Sequence, residues 1–343
     1  KEYCFLFIFV FFCIFAAAMK GLVIRTTGSW YKVLSQQESS MVDCRLRGNY
    51  RLRGNKQTNP IAVGDTVEFS LQEDGTGLIT EVADRTNYII RKATKLSKQT
   101  HVIAANIDQL CIVATLGFPR TSTGFIDRLL VTAEAYHIPA CILFNKIDLY
   151  GNRASAEGAE MWSIHDELAG MYGRVGYPVY AVSALTGEGV EEIRRLIAGK
   201  KTLFTGHSGV GKSALLNAID PSLRLKVGDV SEWSMKGKHT TTFAEIFPIH
   251  LSPSTSQDSE LNQNSFLIDT PGIKEFGMVD IQPEELSHFF PEMRAVLHDC
   301  QFHNCTHTHE PHCAVKQAVE EGCVAEERYQ NYLGILDQIR NGE

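Results

Sequence analysis

The chain has 343 residues, 44% hydrophobic and 21% charged, with a net charge of −7. That describes a globular protein with room for two or three domains, and it excludes a collagenous, disordered or uniformly basic chain. Any contact with nucleic acid must therefore use a local patch.

Residues 1–18 open the chain with an almost entirely apolar run, Phe5 to Phe15, followed by Ala16-Ala17-Ala18. The run suits a signal-peptide core and is short for a membrane-spanning helix. The chain starts at Lys1, and Met19-Lys20-Gly21 looks like a natural beginning. The preferred reading is an upstream extension from a non-native start, with a targeting segment as the alternative.

From Gly21 to about Ile90 the pattern is β. Leu22–Ile24, Trp30–Leu34, Met41–Cys44 and Gly77–Val82 are short runs between turn residues, and Val67, Phe69 and Leu71 alternate with polar neighbours. Five such strands suit a small barrel of the OB-fold kind. The connection after the third strand carries Arg45, Arg47, Arg51, Arg53 and Lys56, with Tyr50 among them. A basic loop with an aromatic on such a barrel suits a nucleic-acid backbone, and a solvated hairpin tip is the alternative.

A second composition begins near Ile107. Gln109–Leu116 and Ala140–Phe144 read as buried strands, with a helix over Phe125–Tyr136 between them. Met161–Tyr172 reads as a helix, Pro178–Val182 as a strand and Gly189–Ile197 as a helix. This alternation predicts a mostly parallel sheet covered by helices, whose ligands collect at the carboxyl ends of the strands. Asn145-Lys146-Ile147-Asp148 falls at such an end. A carboxylate is acceptor-only and can take two hydrogen bonds at once. Guanine offers two adjacent donors, the ring N–H and the exocyclic amine, and adenine cannot present that pair. Asp148 is thus a candidate reader of guanine, with Asn145 bracing the loop and the Lys146 stem covering the base. Ser183-Ala184-Leu185, at the next strand end, is the candidate second contact to the base through backbone N–H.

Gly206-His207-Ser208-Gly209-Val210-Gly211-Lys212-Ser213 fits the phosphate-binding pattern G-x-x-x-x-G-K-[ST]. Leu203-Phe204 before it reads as a strand end, and Ser213-Ala214-Leu215 after it as a helix start. Backbone N–H groups would turn around phosphate oxygens, Lys212 would reach the β- and γ-phosphates, and the Ser213 hydroxyl would sit on Mg²⁺. Further on, one threonine of Thr240-Thr241-Thr242 is a candidate magnesium ligand, taken as Thr241, with a polar turn as the alternative. Leu251 to Asn264 reads as a loop. Phe266-Leu267-Ile268 is a strand ending in Asp269-Thr270-Pro271-Gly272, where Asp269 suits a carboxylate facing Mg²⁺ and the Gly272 N–H can meet a γ-phosphate.

Near the end, Cys300-x₄-Cys305-x-His307-x₅-Cys313 offers a Cys₃His set for one structural zinc ion, with His303, His309, His312 and Cys323 as nearby competitors. Three of the nine cysteines crowded beside histidines favour a metal site in a reducing compartment over a disulfide framework. Tyr329, Tyr332, Leu333, Leu336 and Ile339 stripe one face of a closing helix, as a core-facing helix does.

These signatures are those of GTPases, but they run Asn145–Asp148, Ser183–Leu185, Gly206–Ser213, the threonines, then Asp269–Gly272. The usual order starts with the phosphate loop, so the chain reads as a circular permutation. It resembles the ribosome small-subunit-dependent GTPase A (RsgA) family over essentially Met19 to Glu343. The resemblance implies a multidomain chain. An N-terminal all-β OB-fold barrel would occupy 19–95, a circularly permuted α/β P-loop GTPase domain 96–282 and a mostly α zinc-binding domain 283–343. It also implies GTP/GDP with Mg²⁺, and hydrolysis of GTP stimulated by the small ribosomal subunit during its late maturation. The partners it implies are that subunit and its rRNA, met by a monomer in the cytoplasm without membrane contact. Ile273 stands where Ras-like enzymes carry a glutamine that orients water, so slow intrinsic hydrolysis is expected. His239 is a candidate for positioning that water, or for a structural role in the same loop. Two rival readings are a GTP-dependent RNA-binding switch with negligible turnover, and a zinc-dependent RNA-binding module with a vestigial nucleotide site.

Overall fold

The computed structural model describes residues 18–48, 60–92, 100–117, 119–225, 244–251, 264–269 and 281–341. Its frame is an eleven-stranded sheet whose strands lie in the order 179–181, 140–144, 109–114, 201–205, 266–269, 245–248, 19–27, 30–35, 41–46, 77–82 and 66–71, with the strand at 19–27 also pairing that at 66–71. That last pairing closes β1 (Met19–Thr27), β2 (Trp30–Ser35), β3 (Met41–Leu46), β4 (Thr66–Leu71) and β5 (Gly77–Val82) into a barrel, as the alternating residues predict. One side of each strand fills it: Val23, Tyr31, Val33, Val42, Cys44, Val67, Phe69 and Ile79 form one apolar cluster. Full closure leaves such a sheet without free edges.

Three strands carry too little pattern for the sequence to announce them. The strands β6 (Tyr88–Lys92) and β7 (Thr100–Ala105) form an antiparallel pair of their own. Strand β12 (Glu245–Pro248) is antiparallel to both its neighbours, β1 and the strand at 266–269, and joins the barrel to the larger sheet through Arg25 opposite Glu245.

The larger sheet is doubly wound, as expected. Strands β8 (Gln109–Ala114), β9 (Ala140–Phe144), β10 (Val179–Ala181), β11 (Lys201–Thr205) and β13 (Phe266–Asp269) run parallel. β8 is buried at all six positions, because a strand covered on both faces need not alternate. Helices α1 (Thr123–Ala135), α2 (Ala156–Arg174), α3 (Val190–Ile197) and α4 (Lys212–Ile219) cover it, with one apolar cluster on each face.

The remaining part is mostly helical. It holds a short helix at Pro291–Arg294, a second at Ala314–Glu320 and a long last helix at Glu326–Asn341. Tyr332 and Leu336 are buried in its core, and Tyr329, Leu333 and Ile339 pack against it, so the aromatic-aliphatic stripe faces inward as predicted. Val131 of α1 belongs to this same core. Beside it Arg328, only 1% exposed, donates to Asp127 of α1 at 2.6 Å and to both oxygens of Glu292. Burial pushes the Asp127 carboxyl up to about 6, against the pull of Arg328. Removing one partner of such a buried pair typically costs about 3–5 kcal/mol. Among the described residues no helix is long and apolar enough to cross a membrane.

Candidate nucleotide and metal sites

The carboxyl ends of β8, β9, β10, β11 and β13 open on one side of the sheet, and the separated motifs meet there. The phosphate loop leaves β11 and enters α4 at Lys212. Its glycines are required by close approach. A Cβ at Gly206 would lie 2.3 Å from the Val113 carbonyl oxygen. One at Gly211, where φ is +86°, would lie 2.6 Å from Asn145 Nδ2. The loop can wrap a phosphate only because nothing larger stands at these two places. At the far end of α4, Arg194 donates to the Ile219 and Ala218 carbonyls, at 2.9 and 2.6 Å. A cation there satisfies terminal acceptors and complements the helix dipole.

Asn145 is buried and works as the predicted brace. Its Nδ2 donates to the Val210 carbonyl at 2.9 Å, and its Oδ1 accepts from the Ala184 N–H at 3.1 Å. It therefore ties the phosphate loop to the Ser183-Ala184-Leu185 turn. Lys146, held at φ 65°, donates from Nζ to the Gly209 carbonyl at 2.7 Å, a bond that the spacing of the motif does not foretell. Asp148 is half-buried, and the Ser183 hydroxyl donates to its Oδ1 at 2.5 Å. Ser183 also accepts from the Thr186 N–H, so the hydroxyl has one orientation and fixes the carboxylate. Leu185 is 84% exposed at the rim.

His207 and Ser208 are exposed on the loop, while Val210 is buried beneath it. Ser213 and Ala214 sit in the first turn of α4. The His207 ring stacks on Phe125 of α1, with centroids 3.6 Å apart. Nothing in the sequence flags that stacking, since an aromatic at helical spacing reads as core. Asp269 ends β13, the parallel neighbour of β11, which brings its backbone beside the phosphate loop. His239, Thr241, Gly272 and Ile273 lie outside the described residues, as do Arg51, Arg53 and Lys56. Arg45 is part of β3 itself, opposite Trp30, and its guanidinium lies 3.8 Å over the indole. Arg47 is exposed just beyond.

Cys300, Cys305, His307 and Cys313 converge, with all four ligand atoms within 4.8 Å of one another. His307 Nδ1 lies 3.3 Å from Cys313 Sγ and 3.7 Å from Cys300 Sγ. Burial lowers His307 to about 4, which keeps the imidazole neutral as a metal ligand must be, and pushes the Cys305 thiol up to about 12. Three sulfurs and one nitrogen in this spacing fit a closed tetrahedral zinc site. His303, His309, His312 and Cys323 stay outside the cluster. The loop is held by groups that no motif singles out. Glu310 accepts from the Thr306, Thr308 and His309 N–H groups. Burial raises its pKa, but the Thr306 hydrogen bonds lead a set that holds it down at about 2. The Tyr329 and Tyr332 hydroxyls donate to the His307 and Thr306 carbonyls, at 2.6 and 2.9 Å.

Residues 82–279 match the family described as RsgA GTPase, and residues 20–79 match the RsgA N-terminal domain. A protein of Bacteroides fragilis called small ribosomal subunit biogenesis GTPase RsgA is 48% identical over 95% of this chain and 98% of its own. The chain belongs to the RsgA GTPase family. A protein of the same name from Christiangramia forsetii is 46% identical over 93% of this chain and 96% of its own. Among solved structures, YjeQ from Thermotoga maritima superposes with a TM-score of 0.73 at 34% identity, over 94% of this chain and 98% of its own. YloQ, described as a circularly permuted GTPase, gives 0.72 at 31% identity, over 96% and 98%. The permuted motif order and the barrel are thus family features, and the chain is a GTP hydrolase. Such a GTPase implies GTP or GDP with Mg²⁺, and the glycine cradle and the oriented Asp148 carboxylate fit a guanine nucleotide.

Proposed function

We propose that this chain binds the small ribosomal subunit and hydrolyses GTP to GDP and phosphate there, with the subunit stimulating turnover during its late maturation. The observation that carries the reading is that Asn145, Asp148, Ser183 and the loop at 206–213 meet at one end of the sheet, in a chain with near full-length relatives called small ribosomal subunit biogenesis GTPases. In this reading Asp148 takes the guanine N–H donors, Ser183 orients it, and the Ala184 and Leu185 backbone completes the base pocket. The loop from Gly206 to Ser213 holds the phosphates, with Lys212 on the β- and γ-phosphates. Ser213, Thr241 and Asp269 would hold Mg²⁺, which neutralises charge developing on the phosphates. The Gly272 N–H would meet the γ-phosphate, and His239 would place water that Ile273 cannot hydrogen-bond. One zinc ion on Cys300, Cys305, His307 and Cys313 would organise the last domain. The chain would act as a cytoplasmic monomer.

The barrel's outer face is the proposed rRNA contact. Arg45 stacked on Trp30, exposed Arg47 and the basic residues Arg51, Arg53 and Lys56 supply local charge on an acidic protein. Replacing Arg45, Arg47, Arg51 and Arg53 together by Ala is expected to weaken small-subunit binding and flatten its salt dependence. Every phosphate that goes unneutralised takes about 0.9 off the slope on duplex and about 0.7 on single strands. Sedimentation of subunit mixtures at several salt concentrations measures this, with a GTP titration expected to stay unchanged. Binding and slope equal to those of the unmutated chain would leave the segment a solvated hairpin and move the rRNA contact to the zinc domain.

A GTP-dependent switch with negligible turnover is favoured by one feature, the isoleucine at 273. Single-turnover hydrolysis with and without small subunits separates it from the principal reading.

A further inference from the structure

The first turns of α1 touch two functional regions at once. Toward the phosphate loop, Phe125 stacks on His207 at 3.6 Å between centroids. In the loop that feeds α1, the Pro119 ring would meet a Cβ at Gly209 at 3.3 Å. That feeding loop is tied to itself. Thr121 N–H donates to the Thr115 carbonyl, Thr115 N–H donates to the Thr121 hydroxyl, and the Thr115 hydroxyl donates to the Pro119 carbonyl.

Toward the last helix, the Thr123 hydroxyl donates to Glu327 at 2.7 Å. Asp127 accepts from Arg328 and Asn331, at 2.6 and 2.7 Å. Next along the helix, Arg128 donates to Gln338 at 2.6 Å. A Cβ at Gly124 would lie 3.2 Å from Asn331 Oδ1, so the two helices approach closely there. The last helix in turn carries Tyr329 and Tyr332, whose hydroxyls hold the carbonyls of His307 and Thr306 in the metal cluster loop.

We propose that α1 is a rigid bridge through which the phosphate loop and the metal-binding domain set one another's position, with Phe125 as its positioning residue on the nucleotide side. The line runs from His207 through Phe125 to Thr123 and Asp127, then to Glu327 and Arg328, and ends on the carbonyl of a metal ligand. It uses none of the residues between Thr270 and Asp280. Its physical basis is that a helix turn cannot deform between contacts only a few residues apart, and packed interfaces shift as units. A nucleotide that moves His207 must therefore move or stiffen the last helix. By reciprocity, disturbing the last helix must change nucleotide affinity by the same factor.

The inference rests on the phosphate loop being the nucleotide site, so GDP affinity is measured in the same samples by titration. The test is hydrogen exchange across 326–341 in the full zinc-loaded chain, with and without GDP. In the unmutated chain GDP is expected to slow exchange there by about fivefold, the lower range of ordinary coupling. Phe125→Tyr keeps an aromatic face and keeps the response. Phe125→Leu is expected to abolish it while metal content and far-ultraviolet dichroism stay unchanged. Thr123→Val tests the other side of the bridge without touching the buried ion pair, and is expected to reduce the response. Retention of the full response in Phe125→Leu overturns the proposal, as does a silent last helix in an unmutated chain that binds GDP. A chain that binds no guanine nucleotide overturns the nucleotide reading and this inference with it.

Discussion

Asp148→Asn is expected to transfer the chain's preference from GTP to XTP. The Ser183 hydroxyl already donates to Asp148 Oδ1 at 2.5 Å. In the amide variant the oxygen keeps that partner, and the new NH₂ is left to face the base. Guanine presents two donors there, so the bond to its exocyclic amine becomes a donor-donor clash, while the amide oxygen can still accept from the ring N–H. Unpaired groups of this kind cost roughly 1–3 kcal/mol each and more when charged, so GTP affinity should fall on the order of 10³-fold. Xanthine carries a carbonyl where guanine carries its amine, so XTP should gain. Competitive titration with both nucleotides measures the exchange. Retained GTP affinity with no gain for XTP would remove Asp148 from base recognition.

The second large effect is expected at the metal cluster. Cys305→Ala should release zinc and loosen the last domain, because the remaining thiols and His307 no longer close a tetrahedron. Structural zinc contributes roughly 10–16 kcal/mol in small domains, and losing one ligand should forfeit on the order of 5 kcal/mol locally. The loss should be legible as protease sensitivity across 300–320 and a lowered unfolding midpoint for the last domain. GDP affinity should change by no more than the about fivefold coupling carried by α1. Unchanged zinc content in the variant would take the ligand role away from Cys305.

Much of this architecture is legible in the sequence because its determinants are local. The barrel strands announce themselves by alternation, and the core side chains Val67 and Phe69 are the residues that alternation selects. The candidate nucleotide site is legible because phosphate and guanine chemistry demands particular residue types at fixed spacing, and the fold brings those motifs together. The same holds for the Cys₃His cluster, where three sulfurs and a ring nitrogen fall within fourteen residues.

What stays hidden depends on partners distant in sequence. Strand β12 is four residues long and includes Pro248, too little pattern to distinguish from a loop until β1 and β13 flank it. Nothing near Arg328 in the sequence marks it, because the carboxylate partners that it meets in the core stand 201 and 36 residues away. Phe125 reads as one more core aromatic, and only the fold sets its ring against His207. Arg45 reads as part of a basic loop, but pairing with Trp30 places it on the barrel wall. The Lys146 stem reads as a cover for the base, and the fold shows its ammonium also tying down Gly209.

The central claim is that this GTPase is completed by the small ribosomal subunit, and steady-state GTP hydrolysis with and without purified small subunits tests it most directly. In the proposed reading the loop at 206–213, Asn145 and Asp148 bind the nucleotide, and Ile273 offers no glutamine side chain to orient the attacking water. Slow turnover alone and a rise of at least about tenfold with subunits is the predicted result, well inside the range that partner-supplied groups reach in related chemistry. A rate that is the same with and without subunits, at subunit concentrations where sedimentation shows binding, would contradict it.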